Sequence, residues 1–119
     1  METPEVIAAL GALAQETRLA LFRLLVEEGP QGLPAGVIAD RLGVPASSLS
    51  FHLAQLSHAG LIAPRRVGRS LIYAAAFERM NALLAYLTAN CCGGQACAPQ
   101  CQPAASPALS TAKSKRTAS

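Results

Sequence analysis

The chain has 119 residues and a formal net charge of +3, enough for one small domain and too few for several. Its four cysteines all fall within residues 91–101, which excludes the framework of a secreted mini-protein, where thiols are spread to staple distant segments. The start, Met1-Glu2-Thr3-Pro4-Glu5, is too acidic for a signal peptide. Arg23 interrupts the best apolar run short of the roughly 18 residues that a bilayer span needs. A soluble, cytoplasmic protein with reduced thiols and no membrane partner is expected.

The first helix is predicted over residues 4–15, where Val6, Ile7, Leu10, Leu13 and Ala14 recur at helical spacing. A second covers 17–28, largely buried through Leu21, Leu24 and Leu25, and is ended by Gly29-Pro30 and Gly32. A short third helix over 37–42, the turn Gly43-Val44-Pro45 and a fourth helix over 46–56 follow, with Gly60 stopping the chain beyond it. Helix, tight turn and polar second helix is the sequence form of a helix-turn-helix. Residues 61–75 alternate and hold two strands around Gly68, with Arg65, Arg66 and Arg69 at the hairpin tip, which makes the winged version. A fifth helix runs from 77 to about 90, with Met80, Leu83, Leu84 and Leu87 on one stripe. The fold expected is mainly α with a small β-hairpin: a winged helix-turn-helix over residues 1–90, then a cysteine-rich segment at 91–101. Residues 102–119, rich in Pro, Ala, Ser and Thr, read as a disordered tail.

Charge follows this plan. Residues 1–32 carry Arg18 and Arg23 against Glu2, Glu5, Glu16, Glu27 and Glu28, whereas residues 33–79 carry Arg41, Arg65, Arg66, Arg69 and Arg79 against Asp40 and Glu78. The tail adds Lys113, Lys115 and Arg116. Positive charge thus sits with the reader and the wing, where phosphates would be met. The first and fifth helices are apolar enough either to pack in the core or to form a homodimer seam.

On a helical wheel, Leu49, Leu53 and Leu56 point inward together, and Ser47, Ser50, Phe51 and Ala54 face the other way, with Ser48 and Gln55 on the flank. Ser47, Ser48, Ser50, Phe51, His52 and Gln55 are the candidate DNA-contacting residues of this helix. Ser47 and Ser48 stand at the helix start, where they either touch bases and phosphates or cap the helix. His52 is intermediate and reads as a packed, hydrogen-bonded histidine rather than a base reader. Arg65, Arg66 and Arg69 are either a solvated turn or phosphate contacts.

The run Ser47-Ser-Leu-Ser-Phe-His-Leu-Ala-Gln-Leu-Ser-His-Ala-Gly-Leu61, preceded by Glu16-Thr17-Arg18-Leu19, resembles the arsenic-responsive repressor family, ArsR/SmtB. The resemblance spans about residues 5–90. It implies a small dimeric winged helix-turn-helix repressor that joins through its first and last helices and leaves operator DNA on binding a metal or metalloid. Two departures stand out. The Cys-x-Cys pair that arsenic sensors of the family often carry on the third helix is missing from Pro34-Ala35-Gly36-Val37-Ile38-Ala39, and the last helix has no His for a zinc site.

The effector site is therefore expected in the thiol cluster. Soft thiolates select thiophilic ions, and there are no carboxylates there for a hard cation. Adjacent positions on a helix point about 100° apart, so Gly93-Gly94 is expected to end the fifth helix and turn the chain back, bringing Cys97 to Cys91 and Cys92. Cys101 is spare. By the resemblance, the effector is trivalent arsenic held by three sulfurs, with antimony a close analogue and no permanent cofactor. Zinc or another soft metal is an alternative, although adjacent cysteines make a poor zinc knuckle. A thiol redox switch is another: Cys91–Cys92 would be a strained disulfide, and Cys97–Cys101 would oxidise more readily. An enzyme is disfavoured. No Cys-x₅-Arg loop, phosphate-binding glycine loop or nucleophile–base set appears.

Overall fold

The computed structural model describes residues 1–94, so the expectations for Cys97, Cys101 and the tail at 102–119 lie outside the described residues. Met1–Tyr86 form one compact unit, and residues 87–94 lie outside it in a second. The order is α1 (Thr3–Leu13), α2 (Glu16–Glu28), β1 (Leu33–Pro34), α3 (Ala35–Leu42), α4 (Ala46–His58), β2 (Ile62–Val67), β3 (Ser70–Ala75), α5 (Phe77–Leu87) and a short 3₁₀ turn (Cys91–Gly94). This is a winged helix-turn-helix. No helix among the described residues is long and apolar enough to cross a membrane.

Local chemistry sets most boundaries. Glu2 and Glu5 form a capping box at the start of α1, the Glu2 N–H donating to Glu5 Oε1 at 2.7 Å. Gln15 caps α2 by accepting from the Arg18 N–H at 2.8 Å. Gly43, left-handed at φ 67°, closes α3, and its N–H reaches the Ala39 carbonyl. Gly60, at φ 77°, lets the Leu61 N–H reach back to the Leu56 carbonyl at 3.0 Å and turns the chain into the wing.

The core is built from one stripe of each helix. Val6, Ala9 and Ala12 of α1 and Leu21, Phe22 and Leu25 of α2 meet Ile38 of α3 and Leu49, Leu53 and Leu56 of α4. Leu61 and Ile62 extend this cluster to the base of the wing. The inward arc read from the α4 wheel is the arc that is buried.

Two features differ from expectation. The sheet has three strands, in the order β1-β3-β2, not two. Leu33 pairs with Tyr73 and Pro34 with Ile72, because Gly32 at φ 69° brings the chain so close that a Cβ there would collide with the Tyr73 carbonyl. A two-residue strand ending in proline has neither a period-2 pattern nor a full set of donors, so nothing in the sequence marks it. The second difference is that α5 stops at Leu87, not near Asn90. The Cys91 N–H bonds to the Thr88 carbonyl at 3.0 Å, and Asn90 takes φ 57°, a left-handed conformation that Asn tolerates. The turn therefore begins ahead of the glycines.

Candidate nucleic-acid interface

The N-cap position of the reader helix α4 is Pro45, whose ring offers no side-chain acceptor to the first turn. Ser47 and Ser48 are therefore not caps. Both are exposed, and neither hydroxyl makes a hydrogen bond among the described residues. Ser50, Phe51, Ala54 and Gln55 are exposed as well, so the outward face is small and polar with one aromatic ring standing on it. His52 is half-buried. Its Nδ1 lies 3.5 Å from Arg18 Nη1, and its ring meets Phe51 edge-on with centroids 5.7 Å apart.

The wing is the β2–β3 hairpin. Arg66 pairs with Leu71 and Val67 with Ser70, leaving Gly68-Arg69 as a two-residue turn in which Gly68 alone has positive φ, as a type II′ turn requires. Its arginines divide. Arg65 donates from Nη2 to the Gln31 carbonyl at 3.0 Å and from Nη1 to the Pro30 carbonyl at 3.3 Å, so it ties the hairpin to the α2–β1 loop. Arg66, on the opposite face by the strand's alternation, is exposed, as is Arg69 at the tip.

The other arginines among the described residues are engaged. Arg23 pairs with Glu27 at 3.4 Å, Arg41 with Glu28 at 3.7 Å, and Arg79 with Glu5 at 3.2 Å. Arg18 donates from Nε to the Ala12 carbonyl at 2.6 Å as well as reaching His52. Among the described residues, Arg66 and Arg69 are thus the arginines whose guanidinium groups have no protein partner. Residue type alone does not tell these arginines apart. Sequence reasoning misses the role of Arg18 even though the residue lies in the Glu16–Leu19 motif, because only its distant partner identifies it.

The Arg79–Glu5 ion pair orders the other side of the unit. The Glu2 N–H, and then the Arg79 guanidinium, hold the Glu5 carboxyl below its usual range. Thr3 Oγ1 and the Tyr86 hydroxyl lie 2.8 Å apart, giving α1 and α5 a second link. Ile7, Leu10, Leu84 and Tyr86 stay exposed on these two helices, Ile7 at 64%.

In the second unit, Cys92 is an exposed free thiol at φ 58°, followed by Gly93 at φ 67°. Cys91 is half-buried and disulfide-bonded, so the expectation of reduced thiols is not met at this position. The pairing expected between Cys97 and Cys101 lies outside the described residues. Among those residues, no three metal-ligating side chains come together.

A helix-turn-helix domain family matches residues 13–65. The HTH-type transcriptional regulator YgaV of Escherichia coli (strain K12) is 34% identical over 80 residues, covering 67% of this chain and 79% of that protein. Among solved structures, an ArsR-like transcriptional regulator from Rhodococcus sp. RHA1 superposes with a TM-score of 0.64 at 30% identity, over 71% of this chain and 76% of that one. A homodimeric winged helix-turn-helix domain from Mycobacterium bovis, a possible ArsR-family regulator, gives 0.59 at 28% identity, over 73% and 81%. A possible transcriptional regulator for arsenical resistance gives 0.58 at 29% identity, over 66% and 79%.

Proposed function

Because this chain belongs to the ArsR family of winged helix-turn-helix transcriptional regulators, we propose that it represses transcription by binding operator DNA as a homodimer. Release follows when Cys91, Cys92 and Cys97 take up trivalent arsenic. The observation that carries the DNA-binding half is the exposed face of α4, with no partner for Ser47 and Ser48, followed in the same unit by two arginines with free guanidinium groups. Small hydroxyls at a helix start admit the helix to the major groove, and Arg66 and Arg69 supply charge for phosphates.

The homodimer is supported by the apolar surface that α1 and α5 leave in water, and by the homodimeric state of the M. bovis domain. Two copies would set their reader helices about 34–36 Å apart, one turn of DNA. For the effector, support comes from the donor set: soft thiolates without carboxylates fit a thiophilic ion, arsenic or antimony before zinc. The solved regulator described for arsenical resistance points the same way. A sulfur in a disulfide is no thiolate, so uptake at Cys91 needs the reduced chain. Fixing the segment directly after α5 would bias the arrangement of the two protomers, and couplings of this kind amount to about 1–3 kcal/mol, a 5–150-fold loss of affinity.

The disulfide at Cys91 favours a second reading, a thiol redox switch on the same fold. One experiment separates the two. A fluorescent duplex, selected by the reduced full-length chain from a random library, is titrated with arsenite and separately with hydrogen peroxide while anisotropy is followed. Serine at position 91, 92 or 97 should keep DNA binding and abolish release by arsenite, whereas Cys101→Ser should respond nearly as wild type. If Cys97→Ser is released at the wild-type concentration, the three-thiol site is wrong and a site at Cys91 and Cys92, or one recruiting Cys101, replaces it. Release by peroxide with no response to arsenite selects the redox reading.

A further inference from the structure

We propose that Phe51 reads the C5 methyl group of a thymine in the major groove, so that each half-site of the target carries an A·T pair facing the second turn of α4. The inference rests on the DNA-binding reading above and deepens it. The other large apolar side chains of α4, Leu49, Leu53 and Leu56, are buried, yet Phe51 is 57% exposed. An aromatic ring more than half exposed on a helix whose core stripe is already complete adds nothing to that core, and burying its exposed part against an apolar group is favourable.

Its neighbours fit a groove floor. Ser47 and Ala54, one turn before and nearly one turn after, are exposed and small, so Phe51 is the one large apolar group on the face, with Gln55 the long polar one beside it. The whole of α4 contains no Lys, Arg, Asp or Glu. The bidentate reading of guanine by Arg or Lys, and of cytosine by a carboxylate, is therefore unavailable to this helix. What remains is hydroxyl, amide and apolar contact, and among bases only thymine offers a methyl group in the major groove.

The ring is also held. It meets the His52 ring edge-on, and His52 lies against Arg18, which is anchored on the Ala12 carbonyl. Charge identifies the occupant as nucleic acid, since the hairpin that follows α4 presents Arg66 and Arg69 unpartnered.

The test uses the selected duplex and replaces its thymines one at a time by deoxyuridine, which removes only the methyl group. Replacement in one half-site should weaken the wild-type chain about 4-fold, and replacement in both half-sites about 15-fold, the worth of burying one and two methyl groups. Phe51→Ala should bind the thymine and uracil duplexes equally, and Phe51→Leu should retain part of the discrimination. Circular dichroism melts of both variants should match wild type, since the side chain lies outside the core. If no replacement affects wild type more than Phe51→Ala, the proposal fails while DNA binding stands. If Phe51→Ala keeps full discrimination and instead loses self-association by sedimentation, the ring belongs to a protein contact and the proposal is overturned. A chain that selects no duplex at all overturns both readings.

Discussion

The Arg18 guanidinium lies 3.5 Å from Nδ1 of His52, and so connects the α1–α2 corner to the reader helix. Since a guanidinium can only donate, Nδ1 is the accepting side of this contact. The same side chain donates to the Ala12 carbonyl at 2.6 Å, so its position is set by the end of α1. Any shift of α1 therefore bears on His52 and on the Phe51 ring beside it. Arg18→Ala should cost about 1.5–3 kcal/mol of stability, as a charged hydrogen bond to backbone is lost, and should weaken operator binding. His52→Ala in that background should cost little further affinity, because the two act as one unit. Urea denaturation and anisotropy on the four chains of the cycle check this; additive losses in DNA affinity would dissolve the unit.

The arginines of the wing should separate by salt dependence. Arg66→Ala and Arg69→Ala are each expected to weaken binding to operator and random duplexes alike, and to flatten the log–log salt slope by about 1. Arg65→Ala should leave the slope nearly unchanged and lower the melting temperature instead, because its donors are spent on the Pro30 and Gln31 carbonyls. Equal slopes for all three variants would return Arg65 to the phosphate contacts.

Gly32 is the position at which the smallest change should do the most harm. Its φ of 69° is left-handed, and an added Cβ meets the Tyr73 carbonyl, a backbone group that cannot step aside. Gly32→Ala should cost about 2 kcal/mol or more, from left-handed strain of about 1–2 kcal/mol and the lost β1–β3 pairing. A chemical melt within error of wild type would show that β1 can detach freely.

Glu5 predicts a pH dependence with a definite sign. Its carboxyl is held below the reference value of 4.5, first by the Glu2 N–H and then by Arg79, so the folded state favours the ionised form. The stabilisation is fully present above the unfolded value and is lost as pH falls through the lower folded one. Glu5→Gln should therefore lower the melting temperature slightly at pH 7 and leave it unchanged near pH 2. The effect is small because the group is exposed and screened. An equal deficit at both pH values would assign the loss to the capping box rather than to charge.

Whatever depends on near neighbours in the chain is legible in the sequence. The spacing of Leu49, Leu53 and Leu56 dictates which face of α4 is buried, and Gly43, Gly60 and Gly68 punctuate the helix-turn-helix and the wing because their backbones take left-handed φ there. The outward placement of Ser47, Ser50, Phe51 and Gln55 follows from the same arc. Features that join groups far apart in the chain emerge only once it is folded. Strand β1 exists because Leu33 pairs with Tyr73 across the sheet, not because two residues prefer extended backbone. A guanidinium looks alike wherever it occurs in a sequence; its role is set by which oxygen or nitrogen lies within reach. Thus Arg65 faces the Pro30 and Gln31 carbonyls, Arg79 faces Glu5 and Arg18 reaches a histidine 34 positions away, while Arg66 and Arg69 have no partner among the described residues.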